Sequence, residues 1–99
     1  MKEATPDMKL TLEVGQLVFS IAGRDHGHYY LVYCISEDGR RVWLVDGKKR
    51  DLKSPKAKNV CHLQKTNVIA KKFQEKVIHQ QSVSAEEIRE YLVELSIDQ

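Results

Sequence analysis

Gly15-Gln-Leu-Val-Phe-Ser-Ile-Ala-Gly-Arg-Asp-His-Gly27, followed by the apolar run Tyr29–Ile35 and by Val42-Trp-Leu-Val-Asp46, decides how this chain folds. Residues 17 to 22 are rich in β-branched and aromatic types, as a strand requires. In Tyr29–Ile35, strict alternation puts Tyr30, Val32 and Cys34 on one face and Leu31, Tyr33 and Ile35 on the other. Both faces are apolar, so neither is left to solvent, and Cys34 is expected in the core as a small hydrophobe. Glu37-Asp38-Gly39 has hairpin-turn chemistry. Arg41–Asp46 reads as a third strand, ended by the turn signal Asp46-Gly47. Lys48–Lys58 reads as an extended loop too charged to pack, with Ser54-Pro55 barring a helix. Val60–Gln64 then returns as a short strand. Strands at this spacing, joined by tight turns, predict a small closed β-barrel with a helix over it.

Outward from this stretch the chain is simpler. Residues 1 to 11 are polar, contain Pro6 and read as a flexible tail or a late-docking strand. After Thr66 the apolar period changes from 2 to 3.6. Ile69, Ala70, Phe73 and Val77 mark one helical face. Residues 79 to 83 are a break. Ser84-Ala-Glu-Glu87 is a capping box, opening a second helix with the stripe Ile88, Tyr91, Leu92 and Leu95. The expected organisation is a tail over 1–11, a barrel over 12–66 and a two-helix appendage over 67–99, packed on the barrel because its stripes need cover.

With 99 residues, 41% of them hydrophobic, the chain is expected to form one small domain. It has no run long and apolar enough to span a bilayer. The first seven residues have no apolar signal region, so a cytoplasmic protein is expected, with Cys34 and Cys61 as free thiols. The net charge is only +2, but its placement is uneven. Residues 40 to 58 hold eight cations against two carboxylates, a net +6. The segments on either side are weakly acidic. Charge gathered in one loop attracts polyanions far better than diffuse charge does.

Within residues 15 to 66 the chain resembles the KOW-domain family, and specifically the large-subunit ribosomal KOW proteins and their short bacterial relatives. The matching residues are Gly15, Val18, Ala22-Gly-Arg-Asp25, Gly27, Val32, Leu44-Val-Asp-Gly47, the basic loop, and Asn59-Val60, His62-Leu63 and Thr66. Gly27 takes the place of the motif's hallmark glycine. The resemblance implies an SH3-like β-barrel that binds RNA, usually ribosomal RNA of the large subunit, on the ribosome and beside ribosomal proteins. The chain is less basic than ribosomal KOW proteins commonly are, which leaves room for an accessory factor.

Lys48, Lys49, Arg50, Lys53, Lys56 and Lys58, with Arg41, are suited to phosphate contact: they displace counterions, and arginine grips phosphate in a bidentate way. Gly23 and Gly27 permit a tight turn in which Asp25 accepts backbone N–H groups, and this turn presents Arg24, His26 and His28 to unpaired bases. Trp43 is the aromatic best placed to stack a base, since Val42 and Leu44 take the inward side. His62 either bonds within the barrel wall or touches RNA. The four histidines and two cysteines match no common zinc spacing, so no metal or other cofactor is expected. No nucleophile–base pair, paired carboxylates or phosphate-cradling glycine loop points to catalysis or to a small-molecule substrate. The rival reading is a protein-interaction module, using the barrel and a helical face that carries Val93 and Ile97 off the main stripe.

Overall fold

The computed structural model describes residues 11–97, with side chains through Leu95. The expected tail over residues 1 to 10, and the side chain of Ile97, lie outside the described residues. The fold is mainly β: a five-stranded antiparallel sheet with two C-terminal helices. The strands are β1 (Gln16–Ser20), β2 (Tyr29–Ile35), β3 (Arg41–Val45), β4 (Lys56–Asn59) and β5 (Leu63–Ile69). Their spatial order is β4-β3-β2-β1-β5. The helices are α1 (Lys71–Ile78) and α2 (Ala85–Ile97), and a 3-10 turn, Val60–His62, joins β4 to β5.

The sheet is buried on both faces, as the doubly apolar β2 requires. On one face Val18, Tyr30, Val32, Val42, Leu44, Val60 and Leu63 form a core of their own. On the other, Leu17, Leu31 and Val45 pack with Ala70, Phe73, Val83 and Ile88, so this face is covered by the helical segment. β4 and β5 are opposite edges of the sheet, yet only residues 60 to 62 connect them. In a flat sheet the edges would stand about 19 Å apart, from four inter-strand gaps of roughly 4.8 Å. Four chain steps reach at most about 14 Å. The sheet is therefore curled around the Val18–Leu63 core, and its edges approach one another at this corner.

Two irregularities change the expected register. The β2–β3 ladder slips between Val32 and Cys34, so that Cys34 pairs with Trp43 and Ile35 with Val42. A one-residue bulge inverts the side-chain parity beyond it. Ile35 therefore packs against the inner core, while Cys34 is exposed rather than buried. Its neighbour Trp43 is half-buried. A second slip sits in β5, opposite Gln16 and Val18. There the Thr66 hydroxyl donates to the Leu17 carbonyl and accepts from the Val68 N–H, and the buried Gln16 amide donates to the Thr66 carbonyl. These side chains supply hydrogen bonds that the broken ladder leaves open.

Other expectations shift at the boundaries. The basic segment is not loop throughout, since β4 forms over Lys56–Asn59 and its alternating burial seats it on β3. Val60–His62 is a 3-10 turn capped by the Asn59 side chain, and the following strand runs beyond Thr66 to Ile69. Ile69 is thus a strand residue, and α1 starts at Lys71. At α2 only half of the capping box forms. The Ser84 hydroxyl accepts from the Glu87 N–H, while the Glu87 carboxylate turns away to accept from Lys76 Nζ at 2.6 Å and Tyr91 at 2.7 Å. That arrangement ties α2 to α1.

Candidate nucleic-acid interface

The turn between β1 and β2 is organised by the Asp25 carboxylate. It accepts from the Ser20 hydroxyl at 2.8 Å, the Tyr30 hydroxyl at 2.8 Å and Lys58 Nζ at 2.7 Å, with Lys56 Nζ 3.5 Å away. Asp25 thus serves side chains from β1, β2 and β4, not the backbone N–H groups of its own turn as the sequence suggested. Burial pushes its pKa up, toward the neutral form. The hydrogen bonds from Lys58, Tyr30 and Ser20 outweigh that and hold it well below the usual carboxylate range. Burial, together with the bond it donates to Asp25, pushes the Tyr30 phenol well above its ordinary value. Gly23 and Gly27 both take positive φ, which lets the chain reverse on either side of Asp25.

The second turn is organised by Asp46 at the end of β3. Its buried carboxylate accepts the Lys48 N–H at 2.8 Å and the Arg50 N–H at 3.0 Å, and pairs with His28 Nε2 at 2.8 Å. Burial opposes ionisation here too, but those two N–H groups and His28 keep the carboxyl below its ordinary range. The His28–Asp46 contact locks the first turn to the second. Gly47, at φ +76°, lies under α2, and its carbonyl accepts from the Arg89 guanidinium.

Between the two turns lies a depression of about 400 Å³, lined by Arg24, Asp25, His28, Tyr30, Asp46, Lys48, Lys49, Arg50 and Lys56. Five of these are cations. The carboxylates of Asp25 and Asp46 offset part of that charge, Asp25 being paired with Lys58 at 2.7 Å and lying 3.5 Å from Lys56, so the lining stays net positive. Among the described residues, no ion pair involves Arg24, Lys48, Lys49 or Arg50.

The structure thus brings together Arg24, His28, Lys48, Lys49, Arg50 and Lys56 of the expected site. It places the others elsewhere. Lys58 faces the same region but is only 10% exposed, spent on Asp25, so it serves as an internal tie rather than a phosphate ligand. His26 is exposed on the turn but does not line the depression. Lys53 is exposed in the 51–54 turn, outside the lining. Arg41 opposes Asn59 at the start of β3, and Trp43 opposes Ala57. His62 is exposed at the β4–β5 corner. Among the described residues no group of His, Cys, Asp and Glu side chains converges as a metal site would need. No helix among them is long and apolar enough to cross a membrane.

Sequence reasoning missed Asp46 and Arg89. Asp46 had a signal, since Asp before Gly commonly accepts N–H bonds from the residues after it. Arg89 had none, because its partner, Gly47, lies 42 residues away. No family model matches the chain, and no curated protein matches it significantly.

Proposed function

We propose that the protein binds structured RNA, of the kind found in the large ribosomal subunit, through the face formed by the 23–28 and 46–50 turns. On this reading the curled sheet is an SH3-like barrel of the KOW type, and the protein works without catalysis as a ribosome-associated factor in the cytoplasm. The observation that supports it is the convergence of Arg24, Lys48, Lys49, Arg50 and Lys56 around one depression in which these five cations outnumber the two carboxylates, Asp25 and Asp46. Such a cluster releases condensed counterions from a polynucleotide, while its fixed shape supplies selectivity. The β-hairpin scaffold sets the spacing, because Asp25 and Asp46 brace both turns from beneath.

The test is filter binding to structured ribosomal RNA over a salt series, comparing wild type with the Lys48/Lys49/Arg50→Ala variant. Each phosphate neutralised contributes roughly 0.7–0.9 to the slope of log affinity against log salt. The variant is expected to lose about two units of that slope. A flat salt response, or unchanged affinity in the variant, would overturn the proposal.

A second reading rests on α2, where Glu86, Arg89, Glu90, Val93 and Glu94 line a shallow depression of mixed charge around a valine that is 61% exposed. A stoichiometric protein partner retained after nuclease treatment would favour that face as the working surface.

A further inference from the structure

A second depression, of about 320 Å³, adjoins the cationic one and shares His28, Asp46 and Lys48 with it. Its other walls are Gly27, Tyr29, Leu92 and Val93, with Arg89 as the one further cation. We propose that this depression holds the base of a single unpaired nucleotide whose flanking phosphates lie in the cationic depression, so that the protein selects bulged or looped RNA over continuous duplex. The inference rests on the RNA reading above and adds the kind of nucleotide recognised.

Three observations carry it. The volume is at the lower limit of small-ligand sites, roughly 300–1,000 Å³, so it takes one ring system and not a stacked base pair. Among the walls, the Tyr29 ring and the aliphatic Leu92 and Val93 supply apolar surface for stacking, beside the charged Asp46, Lys48 and Arg89. Tyr29 is held in place for this by Phe19, with ring centroids 5.4 Å apart and a 57° tilt. Finally, His28 stands on the boundary. Its Nε2 is bound to Asp46, its ring lies 4.8 Å from that of Tyr30, and its Nδ1 has no hydrogen bond among the described residues. That nitrogen is left to meet a base edge at the point where the apolar and cationic walls join.

The experiment measures affinity for three RNAs: a continuous duplex, the same duplex with one bulged adenosine, and the same duplex with an abasic residue at the bulge. The bulged RNA is expected to bind on the order of tenfold tighter than the duplex, the usual scale of one base stacked on an aromatic side chain. The abasic RNA is expected to lose that gain. Val93→Glu, on a wall position that is 61% exposed, is expected to bring the bulge-to-duplex ratio close to one. Ile78→Glu adds the same charge at an exposed position outside both depressions and is expected to keep the ratio. Equal, salt-dependent binding of all three RNAs by the wild type would overturn the base site and leave the RNA reading standing. Failure to bind any of them would overturn both.

Discussion

Asp25 carries more of the fold than any other single polar side chain on the binding face. Its carboxylate closes the first turn, seats Lys58 and fixes Tyr30. Asp25→Asn removes the charge that Lys58 faces while leaving that ammonium mostly buried. The expected cost is about 2–3 kcal/mol, the scale of a charge-assisted bond lost with its partner left unsatisfied, read from the urea midpoint. The sign of the pH dependence follows from the depressed pKa. The carboxyl's contribution is complete above its unfolded value of about 3.9 and is lost as pH falls below that, toward the folded value. The wild type is therefore expected to lose melting temperature steeply below about pH 4. Asp25→Asn should lose less over the same interval, and an equal loss would show that other carboxylates dominate. The sequence showed that Asp25 belongs to a glycine-framed turn. It did not show the donors, because Lys58 lies 33 residues on and meets Asp25 only once β4 is placed.

At the level of elements, the strand sequence was legible wherever composition and turn chemistry agreed. It failed where the ladder slips. Nothing in Tyr29–Ile35 marks the bulge that turns Cys34 outward, because a bulge is set by how β2 must bend over β3, not by the residue at which it occurs. β4 was missed for a related reason. Its alternating lysines read as a charged loop, yet Lys58 spends its charge on Asp25 and lets the backbone pair with β3. The helices were clearer, since Phe73, Val77, Ile88, Tyr91, Leu92 and Leu95 of their expected stripes all pack against the covered sheet face, although Ile69 ends β5 instead. Phe73→Ala opens a cavity at a fully buried position between sheet and helices, and a loss of about 3–5 kcal/mol is expected by denaturant unfolding. Gly47→Ala tests the seat of α2. A β-carbon there would strike the backbone at Ala85 and Arg89, at a φ that alanine disfavours. A loss of about 2 kcal/mol or more is expected, with the 46–50 turn displaced. Retention of wild-type RNA affinity in that variant would show that α2 does not help to set the cationic turn.

For the whole molecule, one face of the sheet is buried against the helical segment. Leu17, Leu31 and Val45 pack there with Ala70, Phe73, Val83 and Ile88 of the helical segment. Truncation after Ala70 would leave that face open to water. The truncated chain is expected to lose its cooperative thermal transition, and a melting curve like that of the full chain would show that the sheet stands without its helices. The uneven charge distribution was visible in the sequence, but its geometry was not. Eight cations in one segment looked like a single patch, whereas folding divides them among a depression, an internal tie and two distant corners. Strand order also dictates the timetable of assembly. β2, β3 and β4 are successive hairpin neighbours and can pair as they are made. The β1–β5 seam instead joins residues 50 apart, such as Gln16 and Thr66, and must wait. Until then β1 leaves its outer margin raw in the nascent polypeptide, able to recruit a stranger's strand. The glutamine and threonine that stitch the seam therefore protect yield during biosynthesis as well as the finished particle.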